Sequence, residues 1–278
     1  MKPAPFTYHA PEVVDEVCAL LAEYGDDAKV LAGGQSLVPI LALRLARFDH
    51  LIDVNRIPAL GGTARDNGTL VVRAATRQKS MEQVAEVPLL ARATPFVGHF
   101  QIRNRGTVGG SLAHADPASE YPAVALALGA ELELARAGGA TRRVPAADFF
   151  VATWTTCAAP EELVTAARFP VWDGPCGFAI DEVARRHGDF AIAGAVAAVG
   201  ADRAGLALFG VGPTPVAPEH AVAALLAGAP PAEVADLAVR DLDPADDIHA
   251  SAATRRTVAR HLVERVVTRA REEAHASD

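Results

Sequence analysis

Two glycine pairs, each set between an apolar run and a helix-like segment, constrain this chain most: Ala32-Gly33-Gly34-Gln35-Ser36 and Thr107-Val108-Gly109-Gly110-Ser111. A Gly-Gly step has no Cβ, so the backbone can lie close against a ligand or another strand. Hydroxyl and amide side chains follow each pair, and a helix beginning there adds partial positive charge. One such segment reads equally as a tight turn. Two of them point to a dinucleotide whose pyrophosphate rests on backbone N–H groups rather than on lysines.

The rest of the composition narrows the function. The chain has 278 residues, 50% of them hydrophobic, which allows one to three domains with a sizeable core. A net charge of -8 excludes a general nucleic-acid binder. Lysine occurs only at Lys2, Lys29 and Lys79. Cys18, Cys157 and Cys176 are isolated, too few and too far apart for an iron–sulfur cluster or a cysteine-built zinc site. They imply no disulfide framework and fit a reducing compartment. Met1 to Phe6 lacks a signal core, and no apolar run is long enough to span a bilayer, so a cytoplasmic protein is expected.

Periodicity divides the chain into three parts. Val13, Val17, Leu20, Leu21 and Tyr24 mark a helix closed by Gly25; strands follow at 29–32 and 51–54, separated by a helix over 37–45. This is a compact α/β unit, residues 1–56. The second unit, 57–172, begins with the turn Asp66-Asn67-Gly68 and a strand over 70–74. Ser80-Met81-Glu82-Gln83 has capping-box spacing and predicts a helix through Val84, Val87 and Leu90. A helix over 123–128, strands over 131–135 and 164–169, and the turn Gly138-Gly139 complete it. The Pro/Gly-bearing stretch 170–177 precedes a third part, 173–278. Three strands are expected there, over 178–185, 192–199 and 206–211, then helices over 219–226, 234–237 and from about Ser251. The arginines of the last helix are read as its solvated face. The fold class is therefore α+β.

Between the second glycine pair and the 123–128 helix lies Ala113-His114-Ala115-Asp116-Pro117-Ala118-Ser119-Glu120. A carboxylate there can accept hydrogen bonds from ribityl or ribose hydroxyls; equally, Asp116 or Ser119 can cap the helix. Arg103 and Arg105 can reach a phosphate or sit on the surface. His99, His114 and His187 have no metal-ligand spacing, and no nucleophile elbow, zincin motif or Walker lysine occurs. No residue is assigned to covalent or acid–base catalysis.

These motifs, with Gln101-Ile102-Arg103-Asn104-Arg105-Gly106, Ile52-Asp53-Val54-Asn55-Arg56-Ile57, Arg186-His187-Gly188-Asp189-Phe190-Ala191 and Gly210-Val211-Gly212-Pro213-Thr214-Pro215, make the chain resemble, over nearly its whole length, the FAD-binding medium subunits of molybdenum hydroxylases. The resemblance implies two α/β subdomains clasping FAD, then a domain with a three-stranded antiparallel sheet and a helical bundle. It places Val30, Leu31, Ala32, Gly33, Gly34, Gln35, Ser36 and Leu37, with Thr107, Val108, Gly109, Gly110 and Ser111, on the cofactor. Asp116 and Glu120 become acidic cofactor contacts, and Val97 and Val164 line the flavin pocket. Asp181 falls near the flavin ring, where relatives often carry lysine. Ile180 stands where some carry tyrosine, and Thr254 where tyrosine is common.

The implied activity is electron transfer to an external acceptor. The implied partners are a large subunit with a molybdopterin cytosine dinucleotide-type molybdenum cofactor and a small subunit with [2Fe–2S] clusters, together a dimer of heterotrimers. Two alternatives remain: a stand-alone FAD-dependent oxidase or dehydrogenase acting on a small organic substrate, and a scaffold that has lost FAD.

Overall fold

The computed structural model describes residues 2–276. It opens with strand β1 (Thr7–His9), helix α1 (Val14–Tyr24), β2 (Ala28–Leu31), α2 (Leu37–Ala42) and β3 (His50–Asp53). The strands form a parallel sheet in the order β1-β3-β2. Helix α1 buries Val17, Cys18 and Leu21 against it and stops at Gly25, whose φ of 50° ends the helical path. Helix α2 is shorter than the expected 37–45, and β1 was not expected: three residues are too few to show a period.

The second part holds β4 (Thr63–Asp66), β5 (Thr69–Arg73), α3 (Gln78–Met81), α4 (Pro88–Ala93), α5 (Phe100–Arg105), α6 (Val108–His114), α7 (Glu120–Leu128), β6 (Glu131–Arg136), β7 (Ala140–Pro145), α8 (Ala146–Phe149), β8 (Phe150–Ala152), β9 (Thr155–Thr156) and β10 (Leu163–Pro170). Five of these strands make an antiparallel sheet, β4-β5-β10-β6-β7. Two expectations are corrected here. The capping-box helix through Leu90 does not form; α3 ends at Met81 and a new helix starts at Pro88, because proline tolerates the first turn of a helix and not its interior. The second glycine pair is not a loop. Thr107 is the N-cap of α6, and Gly109 and Gly110 lie in that helix's first turn.

The third part is a meander of β11 (Gly177–Val183), β12 (Ala193–Val199) and β13 (Ala204–Phe209), followed by α9 (Glu219–Leu226), α10 (Pro231–Arg240) and α11 (Ala252–Ala276). Its pleat sorts residues to two faces. Phe178, Ile180, Val196, Ala198, Ala207 and Phe209 join the largest apolar cluster, which includes α7. Ala179, Ala195, Ala197, Leu206 and Leu208 pack against α9, α10 and α11. Helix α7 is buried almost all round, because it lies between the five-stranded sheet and this meander. The arginines of α11 are not merely a solvated face. Arg255 is buried, donates to the Ile192 and Gly210 carbonyls and pairs with Asp247. Arg256 and Arg260 pair with Asp243 and Asp236.

A polar clasp joins the second and third parts. Arg92 of α4 donates Nη2 to Glu273 Oε1 at 2.6 Å and also bonds the Phe178 carbonyl. Glu273 Oε2 accepts the Phe178 N–H at 3.0 Å. The Arg92 guanidinium, with the Phe178 N–H, holds the Glu273 carboxyl below its ordinary range. Such a group stabilises the fold above its unfolded-state value and loses that contribution as the pH falls. Glu273→Ala is therefore expected to lower unfolding free energy by about 1–2 kcal/mol at neutral pH, discounting for partial exposure. In urea titrations the gap from wild type should shrink as the pH drops below 4.5.

Candidate functional site

The site is built where the first glycine segment meets the second. Strand β2 delivers Val30 and Leu31, and the chain then turns through Ala32-Gly33-Gly34-Gln35-Ser36 into Leu37 at the start of α2. Gly34 has φ 72°, a conformation that side chains rarely adopt. Gly33 lies flat against the end of α5: a Cβ there would land on the Arg105 carbonyl oxygen and 2.6 Å from Gly106 Cα. The N–H groups of Gly33, Gly34, Gln35 and Ser36 have no acceptor among the described residues, while Gln35 Nε2 folds back to the Gly33 carbonyl at 3.1 Å. Successive open amides of this kind make an anion cradle.

The second segment differs in a way the sequence did not reveal. Its amides are spent, two on the chain running from β5 into α3 and two on Thr107. Val108 N–H donates to the Thr76 carbonyl at 3.0 Å, and Gly109 N–H to the Ala74 carbonyl at 2.9 Å. Gly110 N–H goes to Thr107 Oγ1 at 3.1 Å, and Ser111 N–H to the Thr107 carbonyl at 3.1 Å. Gln78 N–H returns a bond to the Gly106 carbonyl at 2.9 Å. This segment thus shapes the cradle's wall, with the Thr107 and Ser111 hydroxyls as its side-chain donors. Gly109 is needed because a Cβ would collide with Ala74.

Buried polar groups without partners mark the same region. Gln78 Oε1 is buried beside Gly106 and bonds to nothing among the described residues. Glu120, the first residue of α7, is 7% exposed, and its side chain has only its own backbone N–H for support. Burial, opposed by that N–H and reinforced by Asp116, raises its carboxyl to about 7. Facing it from β11, Glu182 has a buried Oε2 with no partner among the described residues; burial, then Glu120 and Asp181, push its carboxyl up to about 8. An unsatisfied buried polar atom costs about 1–3 kcal/mol, so such a grouping calls for a ligand or a task.

Other expected site residues sort clearly. Asp116 is used inside the protein: Oδ1 accepts the Ala118 N–H at 2.9 Å and Oδ2 the Trp154 indole N–H at 3.0 Å. Ser119 stands at the N-cap position of α7 without a side-chain capping bond. Val97 and Val164 pack in or against the largest apolar cluster, with Ile180. Asp181 is engaged elsewhere in the protein. The pleat turns it away from Ile180 and toward α11, where Oδ2 takes Arg265 at 2.7 Å and Arg269 at 3.1 Å. The carboxyl on the Ile180 face is Glu182, which strand alternation could have singled out. Arg103 is committed to Glu82 and to the carbonyls of Pro95, Val97 and Gly98. Arg105 has no side-chain partner among the described residues and borders Gly33. No group of His, Cys, Asp or Glu able to hold a metal occurs among the described residues.

An open N–H cradle, a glycine wall and unpaired buried oxygens fit a dinucleotide of FAD's type. Comparison with known proteins gives the class. Residues 4–172 match the model of the FAD binding domain in molybdopterin dehydrogenase, and 178–270 that of the CO dehydrogenase flavoprotein C-terminal domain. The chain belongs to this FAD-binding family of molybdopterin dehydrogenases and is an oxidoreductase component. It is 38% identical over 284 residues to the 6-hydroxypseudooxynicotine dehydrogenase complex subunit alpha of Paenarthrobacter nicotinovorans, covering 97% of this chain and 96% of that one. It is 37% identical to the carbon monoxide dehydrogenase medium chain of Hydrogenophaga pseudoflava, covering 97% and 98%. A solved structure of carbon monoxide dehydrogenase from Hydrogenophaga pseudoflava superposes with TM-score 0.94 at 37% identity, covering 98% of this chain and 99% of that one.

Two outcomes test the site. Gly33→Ala is expected to push the first segment off the Arg105 carbonyl and weaken FAD retention at least about tenfold, read by flavin released during dialysis. For Glu120 the folded carboxyl value lies above the unfolded 4.5, so its stabilisation is complete below 4.5 and lost as the pH rises through about 7. Glu120→Gln should flatten the fall in apoprotein stability across that window in chemical denaturation.

Proposed function

We propose that this chain is the FAD-binding electron-transfer subunit of a heteromeric molybdenum hydroxylase, working between the iron–sulfur clusters of a partner and an external acceptor. The observation that carries it is the cradle of open amides at Gly33 to Ser36, walled by α6. The relatives named above as a dehydrogenase complex subunit and a medium chain support it. FAD, when bound, supplies the redox chemistry, and the protein tunes and shields it.

The residues have distinct tasks in this reading. Gly33, Gly34, Gln35 and Ser36 donate N–H groups to the pyrophosphate, and Val30, Leu31 and Leu37 fix the turn that aims them. Thr107 and Ser111 add hydroxyl donors, while Val108, Gly109 and Gly110 shape the wall. Glu120 accepts from cofactor hydroxyls, and Val97 and Val164 exclude water from the ring. Glu182, with Ile180, takes the place first given to Asp181 on the side facing the ring. Residues 1–56 and 57–172 then clasp the cofactor, and 173–278 closes over it. Electrons enter from a small [2Fe–2S] subunit served by a large subunit with a molybdopterin cytosine dinucleotide-type cofactor, the complex being a dimer of heterotrimers in the cytoplasm. Among the described residues no helix is long and apolar enough to cross a membrane.

The test is the purified chain's visible spectrum and its company. Bound FAD released on denaturation, and copurification with coexpressed large molybdenum and small iron–sulfur chains, are expected. A chain that stays alone beside those partners, or one whose flavin is bleached by a small organic substrate without them, overturns the subunit reading in favour of a stand-alone flavoenzyme.

A further inference from the structure

The first glycine segment is the turn between β2 and α2 and the second is the start of helix α6, and backbone contact at Gly33 does not by itself fix their spacing. A side-chain bridge does. Arg77, just before α3, donates Nη1 to the Arg105 carbonyl at 2.6 Å and Nη2 to Asn55 Oδ1 at 2.7 Å. Asn55, just after β3, donates Nδ2 to the Ala32 carbonyl at 2.8 Å and to Asp53 Oδ1 at 2.6 Å. Asp53 Oδ1 also accepts the Asn55 N–H at 2.8 Å, and its other oxygen accepts the Tyr8 hydroxyl at 2.7 Å. The carbonyl of the residue before Gly33 is thereby tied to that of the residue before Gly106, through two side chains whose orientations are fully specified.

The charges around this bridge are unbalanced. Arg77 is partly buried, and burial, then the Arg105 charge, lowers its basicity while Asp53 opposes the shift. The guanidinium groups of Arg77 and Arg105 thus lie near each other, and Asp53, the carboxylate that acts on Arg77, is itself met by Arg56, beside four open amides. Such an arrangement suits an added dianion on the amide side. Lysine cannot replace Arg77, because only the planar fork reaches a carbonyl and an amide oxygen in two directions at once.

We propose that Arg77, acting through Asn55, is a positioning residue that sets the gap between the glycine segments and so the affinity for the pyrophosphate half of the cofactor. The inference rests on the FAD reading above. It concerns residues that touch carbonyls of the cradle, not the cofactor itself.

The experiment titrates the deflavinated full-length chain with FAD and, separately, with ADP, by calorimetry. Arg77→Met is expected to weaken both ligands by the same factor, about tenfold or more, the scale of a lost charge-assisted bond pair. Asn55→Leu should do likewise, and the double variant should be little worse than either single one, since both cut one bridge. Arg77→Lys, which keeps the charge without the fork, should not restore affinity.

Additive losses in the double variant, or rescue by Arg77→Lys, would assign the residues a general structural or charge role and overturn the proposal. So would FAD and ADP affinities within about twofold of wild type, or an effect on FAD alone. Should Arg77→Met not fold, the cycle is run with Arg77→Lys and Asn55→Leu, for which non-additive losses are expected and additive ones overturn the bridge. Failure of the unaltered chain to bind FAD would overturn the cofactor reading itself, a different result from normal binding that ignores Arg77.

Discussion

The contact of Gly33 with the Arg105 carbonyl is the constraint on which the site depends. The turn that leaves the parallel sheet after β2 and the end of helix α5 meet there backbone to backbone, at a separation that no Cβ can share. Around it the stretch 74–78 zips to 105–109 through the carbonyls of Ala74, Thr76 and Gly106 and the amides of Gly109, Val108 and Gln78. The amides of one segment are satisfied internally so that the segment is rigid. Those of Gly33 to Ser36 find no acceptor among the described residues, which is why the proposed pyrophosphate site is placed on that segment. In the proposed reading the two segments are wall and cradle of one site, and their asymmetry follows from where each backbone group finds its partner.

Helix α7 extends the logic inward. It is nearly all apolar because protein surrounds it, yet its first residue is a buried glutamate whose desolvation outweighs the pull of the Arg103 charge. Across the seam the meander brings up a second such carboxyl, Glu182, on the Ile180 face. Two like groups in a low-dielectric pocket raise each other's affinity for protons, beyond what burial does alone. At neutral pH the Glu182 carboxyl, lifted to about 8, keeps its proton, so this seam carries less negative charge than its sequence suggests.

Much of the frame was legible in the residues. The helix ending at Gly25, the turn Asp66-Asn67-Gly68, the meander and the helix Glu219–Leu226 carry strong local signals of period and turn chemistry. What escaped was set by non-local partners. Gly109 and Gly110 read as loop because glycine is a poor helix former, but Thr107 caps the turn and Ala74 leaves no room for a side chain. The capping box at Ser80 was outweighed by Pro88. The α11 arginines looked solvated because period alone does not reveal that Asp181 and Asp247 wait across the interface.

The same distinction explains which site residues could be named from sequence. Glycine pairs announce themselves by composition, and acidic residues before an apolar helix stand out. Arg77 and Asn55 have no such signature, because they stand 22 positions apart in the chain and their role is to bridge the carbonyls of two distant segments. The contrast between Asp181 and Glu182 has a sharper cause. A strand offers its neighbours alternately to two faces, so a displacement of one position moves a carboxyl from one environment to the other. Asp181 meets two guanidinium groups and is a structural anion of α11. Glu182 meets apolar side chains and another carboxyl, and is an acid. The chemistry of each follows from the pleat, not from the residue type.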